Sequence, residues 1–124
     1  MILIGQYDSP FVRRVGIALT LLGLPFEHRP WSTFGDAGMI RPLSPLTRVP
    51  VLVVDGVALT DSHLILAQLD EMAPPGRALM PADPAARLAA RRLLGLATGL
   101  AETAVSLFYE KVLHDSPSPL LVER

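Results

Sequence analysis

The strongest constraint on the fold is a hairpin signal near the middle of the chain. Val49-Pro50-Val51-Leu52-Val53-Val54 is an apolar run rich in β-branched residues, and Val57-Ala58-Leu59 answers it. Asp55-Gly56 lies between them, a pair suited to the two-residue turn whose central residues both need positive φ. A buried hairpin needs helices to cover it, and the flanking segments supply them. Residues 1–6 read as a strand that stops at Tyr7-Asp8-Ser9-Pro10. Ser9 suits the N-cap of a following helix and Pro10 its first position. Val12, Val15, Leu19 and Leu22 then recur at helical spacing, and Gly23 supplies the stop.

Leu24–Pro30 reads as a second strand weakened by two prolines, and residues 31–48 as a loop with a short helix around Ala37–Ile40. Thr60 or Asp61 can cap a helix running to about Met72. Ala73–Asp83, with three prolines and a glycine, is a linker. Asp83-Pro84 repeats the cap-and-proline signal ahead of a long Ala/Leu helix. The order β-α-β-(α)-β-β-α, a linker and a long helix predicts an α/β class with a small mixed sheet.

Eleven basic residues nearly balance twelve acidic ones, which argues against nucleic acid or an anionic membrane as the main partner. All but Lys111 of the basic residues are Arg, so a tight anion contact would use a guanidinium fork. With no cysteine, structural disulfides, Cys-ligated zinc and thiol redox chemistry drop out. His28 and His114 have no partner spacing for a metal. Apolar runs are too short to cross a bilayer, and the N-terminus reads as a strand without a charged leader, so the expected location is the cytoplasm.

Three segments, in order and at matching spacing, resemble the N-terminal domain of glutathione transferases. Ser9-Pro10-Phe11-Val12-Arg13-Arg14-Val15 is similar to the Ser-Pro-Phe-Val-Arg-Lys-Val of many bacterial members. Arg48-Val49-Pro50-Val51-Leu52 is similar to the family's Lys-Val-Pro-x-Leu. Asp61-Ser62, opening a helix with Ile65 and Leu69, is similar to its Glu/Asp-Ser-x-x-Ile pattern. The chain departs from the pattern at Ser44 (usually Asn), Thr47 (usually Gly), Leu64 (usually small) and Gln68 (usually aromatic).

The resemblance implies a thioredoxin-like βαβ-ββα domain with a four-stranded sheet over 1–76, a linker over 77–83 and one helix of an incomplete all-α domain over 84–113. Residues 114–124 are expected to form a loose tail. It implies glutathione as substrate or coenzyme, an electrophilic small molecule as co-substrate, no metal, and a homodimer through the long helix. The reaction implied is attack of the glutathione thiolate on the electrophile. Two other readings stay open: a non-enzymatic assembly or regulatory module, and a glutathione-dependent isomerase or dehalogenase. Whether the chain turns over at all is left open too, because relatives build most of the co-substrate wall from further helices.

Ser9 is the residue to which the resemblance assigns thiol activation, with Tyr7 as the rival donor. The local reading of Ser9 is a plain helix cap, and a hydroxyl aimed at a thiolate is expected not to cap its own helix. The resemblance implies a cis Val49-Pro50 bond whose Val49 backbone pairs with the cysteinyl unit of glutathione as a short added strand. A trans proline at a strand edge is the local alternative. Asp61 and Ser62 suit the γ-glutamyl amine and carboxylate, or simply cap a helix. Arg48 is assigned to the glycyl carboxylate, or is a solvated loop arginine. Arg14 is matched to a basic residue that pairs with an acid of the second domain. Trp31 and Phe34 are core or loop residues, or line the pocket mouth.

The last helix has two apolar faces. Leu93, Leu96, Leu100, Ala104 and Leu107 make one. Leu94, Ala97, Ala101, Val105, Phe108 and Val112 make the other. A helix apolar on most sides expects cover on most sides.

Overall fold

The computed structural model describes residues 1–116 and 118. Eight elements follow in the order β1 (Ile2–Ile4), α1 (Pro10–Leu22), β2 (Glu27–Arg29), α2 (Ala37–Ile40), β3 (Val51–Val54), β4 (Val57–Thr60), α3 (Ser62–Glu71) and α4 (Pro84–Leu113). The chain divides into two compact units, Met1–Met80 and Pro81–Arg124.

In the first unit the four strands lie in the order β2-β1-β3-β4. β1 pairs parallel with β2 and antiparallel with β3, and β3 pairs antiparallel with β4. The sheet is therefore mixed, with a βαβ half and a ββα half, a thioredoxin-like arrangement. Pro25 and Pro30 bracket β2 and hold it to three residues at the sheet edge, where a proline removes no needed donor. Asp55 and Gly56 take φ of 48° and 81°, the double positive φ that the tight β3–β4 turn requires.

Side chains of neighbouring strand residues point to opposite faces, so β1, β3 and β4 each feed two cores. Leu3 and Leu52 join Val12, Val15 and Leu19 of α1 and Ile65 and Leu69 of α3 on one face. Ile4 and Val51 join Ile40 of α2 on the other, with Trp31 packed at the margin. Each fully buried aliphatic side chain here contributes about 1.5–3 kcal/mol relative to exposure.

Helix α1 starts where a cap and a proline coincide and ends where a left-handed residue is available. Gly23 takes φ 68°, its N–H donates to Thr20, and Leu24 N–H donates to Leu19 O at 3.0 Å. These two bonds satisfy carbonyls that the helix end would leave open. Arg77 Nη2 donates to Leu21 O at 2.9 Å and adds a cation at the same negative helix end.

In the second unit Asp83 caps α4, with Oδ2 accepting Ala86 N–H at 2.8 Å, and Arg87 Nε donates to Pro81 O at 2.8 Å. None of the α4 residues is buried. Leu88, Leu93, Leu96, Leu100 and Phe108 are all more than half exposed. Among the described residues no helix is long and apolar enough to cross a membrane. The tail expected over 114–124 falls largely on 117 and 119–124, which lie outside the described residues.

Candidate functional site

Strand register gathers the motif residues. Ile4 pairs with Val51, and Val51 pairs with Thr60. The end of β1, the start of β3 and the end of β4 therefore meet at one edge of the sheet. Gly5 leads from that edge to α1, Pro50 leads into β3, and Asp61 leads out of β4 into α3. The three motifs, far apart in sequence, become neighbours at the starts of α1 and α3.

Gly5 shows how tight the junction is. It takes φ +127°, a region that L side chains avoid. A Cβ built there would lie 2.5 Å from Val12 Cγ2 and 2.9 Å from Val49 Cβ. Val49, the first turn of α1 and the end of β1 are thus in direct packing, and Val49 touches both cores.

Ser9 is partly buried at the N-cap of α1. Its Oγ accepts Val12 N–H at 3.4 Å, and its own N–H donates to Asp8 Oδ1 at 2.8 Å. The expected conflict between capping and donating turns on which part of the hydroxyl each interaction uses. A cap uses a hydroxyl lone pair, whereas stabilising an anion uses the hydroxyl proton. Ser9 spends the first and keeps the second. Pro10 has no N–H, and Phe11 N–H has no partner among the described residues.

Tyr7 is held differently. Its ring stacks on His28 with centroids 4.1 Å apart, and His28 Nε2 lies 2.8 Å from Gly5 O. A Cβ at Gly16 would sit 2.8 Å from the Tyr7 hydroxyl. The phenol therefore lies along α1 at Gly16, about 10 Å of helix rise beyond Ser9. The Tyr7 carbonyl accepts two bonds from Arg13, at 2.9 Å from Nε and 2.6 Å from Nη2.

The Val49-Pro50 peptide bond is cis. Neither the N–H nor the C=O of Val49 forms a hydrogen bond among the described residues. The loop before it is pinned by Ser44, a buried serine whose Oγ accepts Arg48 N–H at 3.2 Å. Thr47 sits in the same loop at φ 54°, an uncommon region for a β-branched residue. The Arg48 side chain is exposed and has no hydrogen bond or ion pair among the described residues.

Asp61 takes φ 70° and ψ 118° and caps α3. Its Oδ1 accepts His63 N–H at 2.8 Å and Leu64 N–H at 3.3 Å, which leaves Oδ2 uncommitted. Ser62 is 5 % exposed, and its N–H has no partner among the described residues. Arg14 Nη1 donates to Ser62 Oγ at 3.3 Å. Burial lowers the Arg14 pKa and the Asp61 carboxylate partly offsets this, with the guanidinium remaining a cation. Sequence reasoning directed Arg14 toward a second-domain acid and missed its place beside Ser62. The signal was its position on α1, uninterpretable without knowing that α1 and α3 pack side by side.

Trp31 packs on the second core, with the Arg29 guanidinium 5.6 Å from its ring centre, and Phe34 is exposed. His63 is exposed at the first turn of α3.

A profile of the glutathione S-transferase N-terminal domain matches residues 3–77. The glutathione S-transferase U6 of Arabidopsis thaliana is 37% identical over 95 residues, covering 76% of this chain and 42% of that protein. A glutathione S-transferase from Methylobacterium radiotolerans, solved in complex with glutathione sulfonate, superposes with a TM-score of 0.90 at 34% identity. The match covers 99% of this chain and 58% of that one. A glutathione transferase family member from Pseudomonas fluorescens with bound glutathione gives a TM-score of 0.85 at 28% identity, over 98% of this chain and 62% of that one. The chain spans about half the length of the curated relatives it matches. With the profile covering more than half of the residues and the fold agreeing, the chain belongs to the glutathione S-transferase family by its N-terminal domain.

Proposed function

We propose that the chain binds glutathione at the sheet edge where α1 and α3 begin, and that the bound thiolate attacks an electrophilic small molecule. The observation that carries this is Ser9: a hydroxyl fixed at a helix N-terminus with its proton still to donate.

A free thiol of pKa about 8.5 is only slightly ionised at neutral pH. Lowering the value by two units requires about 2.7 kcal/mol. A helix N-terminus contributes about 0.3–1 kcal/mol, more when partly buried. A hydrogen bond to a charged group adds about 1.5–3 kcal/mol. Together the two terms are of the needed size. The thiolate sulfur then forms a bond to the electrophilic carbon, and the electron pair of the broken bond leaves with the displaced group or is protonated.

The remaining assignments follow from open groups. Val49 offers a backbone donor and acceptor to the cysteinyl unit. Ser62 offers its N–H and hydroxyl to the γ-glutamyl carboxylate, and Asp61 Oδ2 faces the amine. Arg48, long and exposed, reaches for the glycyl carboxylate. The exposed leucines of α4 favour a homodimer through that helix, since large exposed apolar patches mark interaction surfaces.

Isothermal calorimetry with glutathione tests the binding, beside Ser62→Ala, on protein whose oligomeric size has been measured. Binding that weakens in the variant supports the assignment. A folded, dispersed protein that takes up no glutathione contradicts it and leaves an assembly role as the better reading.

A further inference from the structure

The site contains a cation that the proposed chemistry leaves without an anion. Arg14 is partly buried on α1, and its guanidinium makes one hydrogen bond, to the neutral Ser62 hydroxyl 48 residues away. Among the described residues no carboxylate lies within ion-pair distance of it. Asp61, whose charge only partly offsets the burial of the guanidinium, lies outside ion-pair distance and has one carboxylate oxygen engaged by the backbone of α3. A partly desolvated charge held by one neutral acceptor is costly unless something else compensates it.

The Ser62 hydroxyl has two lone pairs and one proton. Arg14 fills a lone pair, which fixes the rotor and leaves the proton to point elsewhere. A cationic donor also polarises that O–H and makes it a stronger donor in turn. Beside it, Ser62 N–H is open. The arrangement suits a carboxylate placed against Ser62, within the field of Arg14.

We infer that Arg14 is the positioning residue that makes this site selective for the α-carboxylate of the γ-glutamyl unit, acting through the Ser62 hydroxyl. The inference rests on the glutathione reading above and adds a residue that the three motifs leave without a role in binding.

The test compares two ligands on the full chain by calorimetry: glutathione, and 4-aminobutanoyl-cysteinylglycine, which lacks only that carboxylate. The unsubstituted protein should prefer glutathione by about tenfold or more, the scale of a hydrogen bond to a charged group. Arg14→Gln should reduce the preference to about threefold or less, by weakening glutathione while leaving the analogue within about twofold. Ser62→Ala should do the same, and the double variant should lose no more than either alone. Should Arg14→Gln fail to fold, Ser62→Ala and the charge-retaining Arg14→Lys decide the matter: the first should lose the preference and the second keep most of it. Equal weakening of both ligands in Arg14→Gln, or full preference in Ser62→Ala, overturns the inference and makes Arg14 a tether between α1 and α3. An unsubstituted protein that binds neither ligand overturns the glutathione reading itself, a result distinct from either.

Discussion

The Ser9 hydroxyl oxygen accepts Val12 N–H at 3.4 Å, a long bond made with a lone pair, while the hydroxyl proton stays available at the same helix end. The two functions separate by substitution. Asp at this position also caps but, ionised, has no proton to give. Ser9→Asp should keep the folding free energy within about 0.5 kcal/mol of the parent, whereas Ser9→Ala should lose about 1 kcal/mol. Both should lose the ability to ionise a bound thiol. Urea unfolding read by circular dichroism measures the first effect, and conjugation of a chromogenic electrophile the second.

Tyr7 should be a bystander in the chemistry. Its hydroxyl lies against Gly16, well along α1 from the end at which Ser9 sits. Tyr7→Phe keeps the ring that stacks on His28, so both folding and glutathione affinity should stay within about twofold of the parent. A tenfold or larger loss of conjugation rate in Tyr7→Phe would transfer the donor role to the phenol.

Asp61 combines a cap, a positive φ and an uncommitted carboxylate oxygen. Asn keeps the acceptor and tolerates positive φ but removes the charge. Asp61→Asn should therefore fold within about 0.5 kcal/mol of the parent and bind glutathione several-fold more weakly. Asp61→Ala should cost about 1–3 kcal/mol of stability as well, from the lost cap and the strained backbone. Thermal unfolding and calorimetry on the pair distinguish the two contributions.

Thr47 occupies φ 54° where the resembling proteins use glycine. A β-branched side chain there is strained. Thr47→Gly should stabilise the fold by about 1 kcal/mol, a gain that chemical unfolding resolves. No gain, or a loss, would mean that the threonine side chain compensates the strain locally.

Much of the fold was legible because the signals were local. Ser9-Pro10 and Asp83-Pro84 start helices, Gly23 ends one, and Asp55-Gly56 turns a hairpin, each by its own backbone preference. What remained hidden depends on packing across the chain. That Arg14 meets Ser62 follows from α1 lying beside α3. That Tyr7 turns along α1 follows from the positive φ of Gly5, the His28 ring and the gap at Gly16. The bond from Arg48 N–H to Ser44 Oγ is local, but the loop conformation that makes it carries no periodic or capping signal in the sequence.

The most direct measurement is the ionisation of glutathione on the protein, followed by thiolate absorbance across pH with the parent chain and with Ser9→Ala. A bound thiol that ionises about two units below the free value near 8.5, returning most of the way in Ser9→Ala, is the expected result. A bound thiol that titrates like free glutathione, or one whose lowered pKa is untouched by Ser9→Ala, would contradict the role assigned to Ser9.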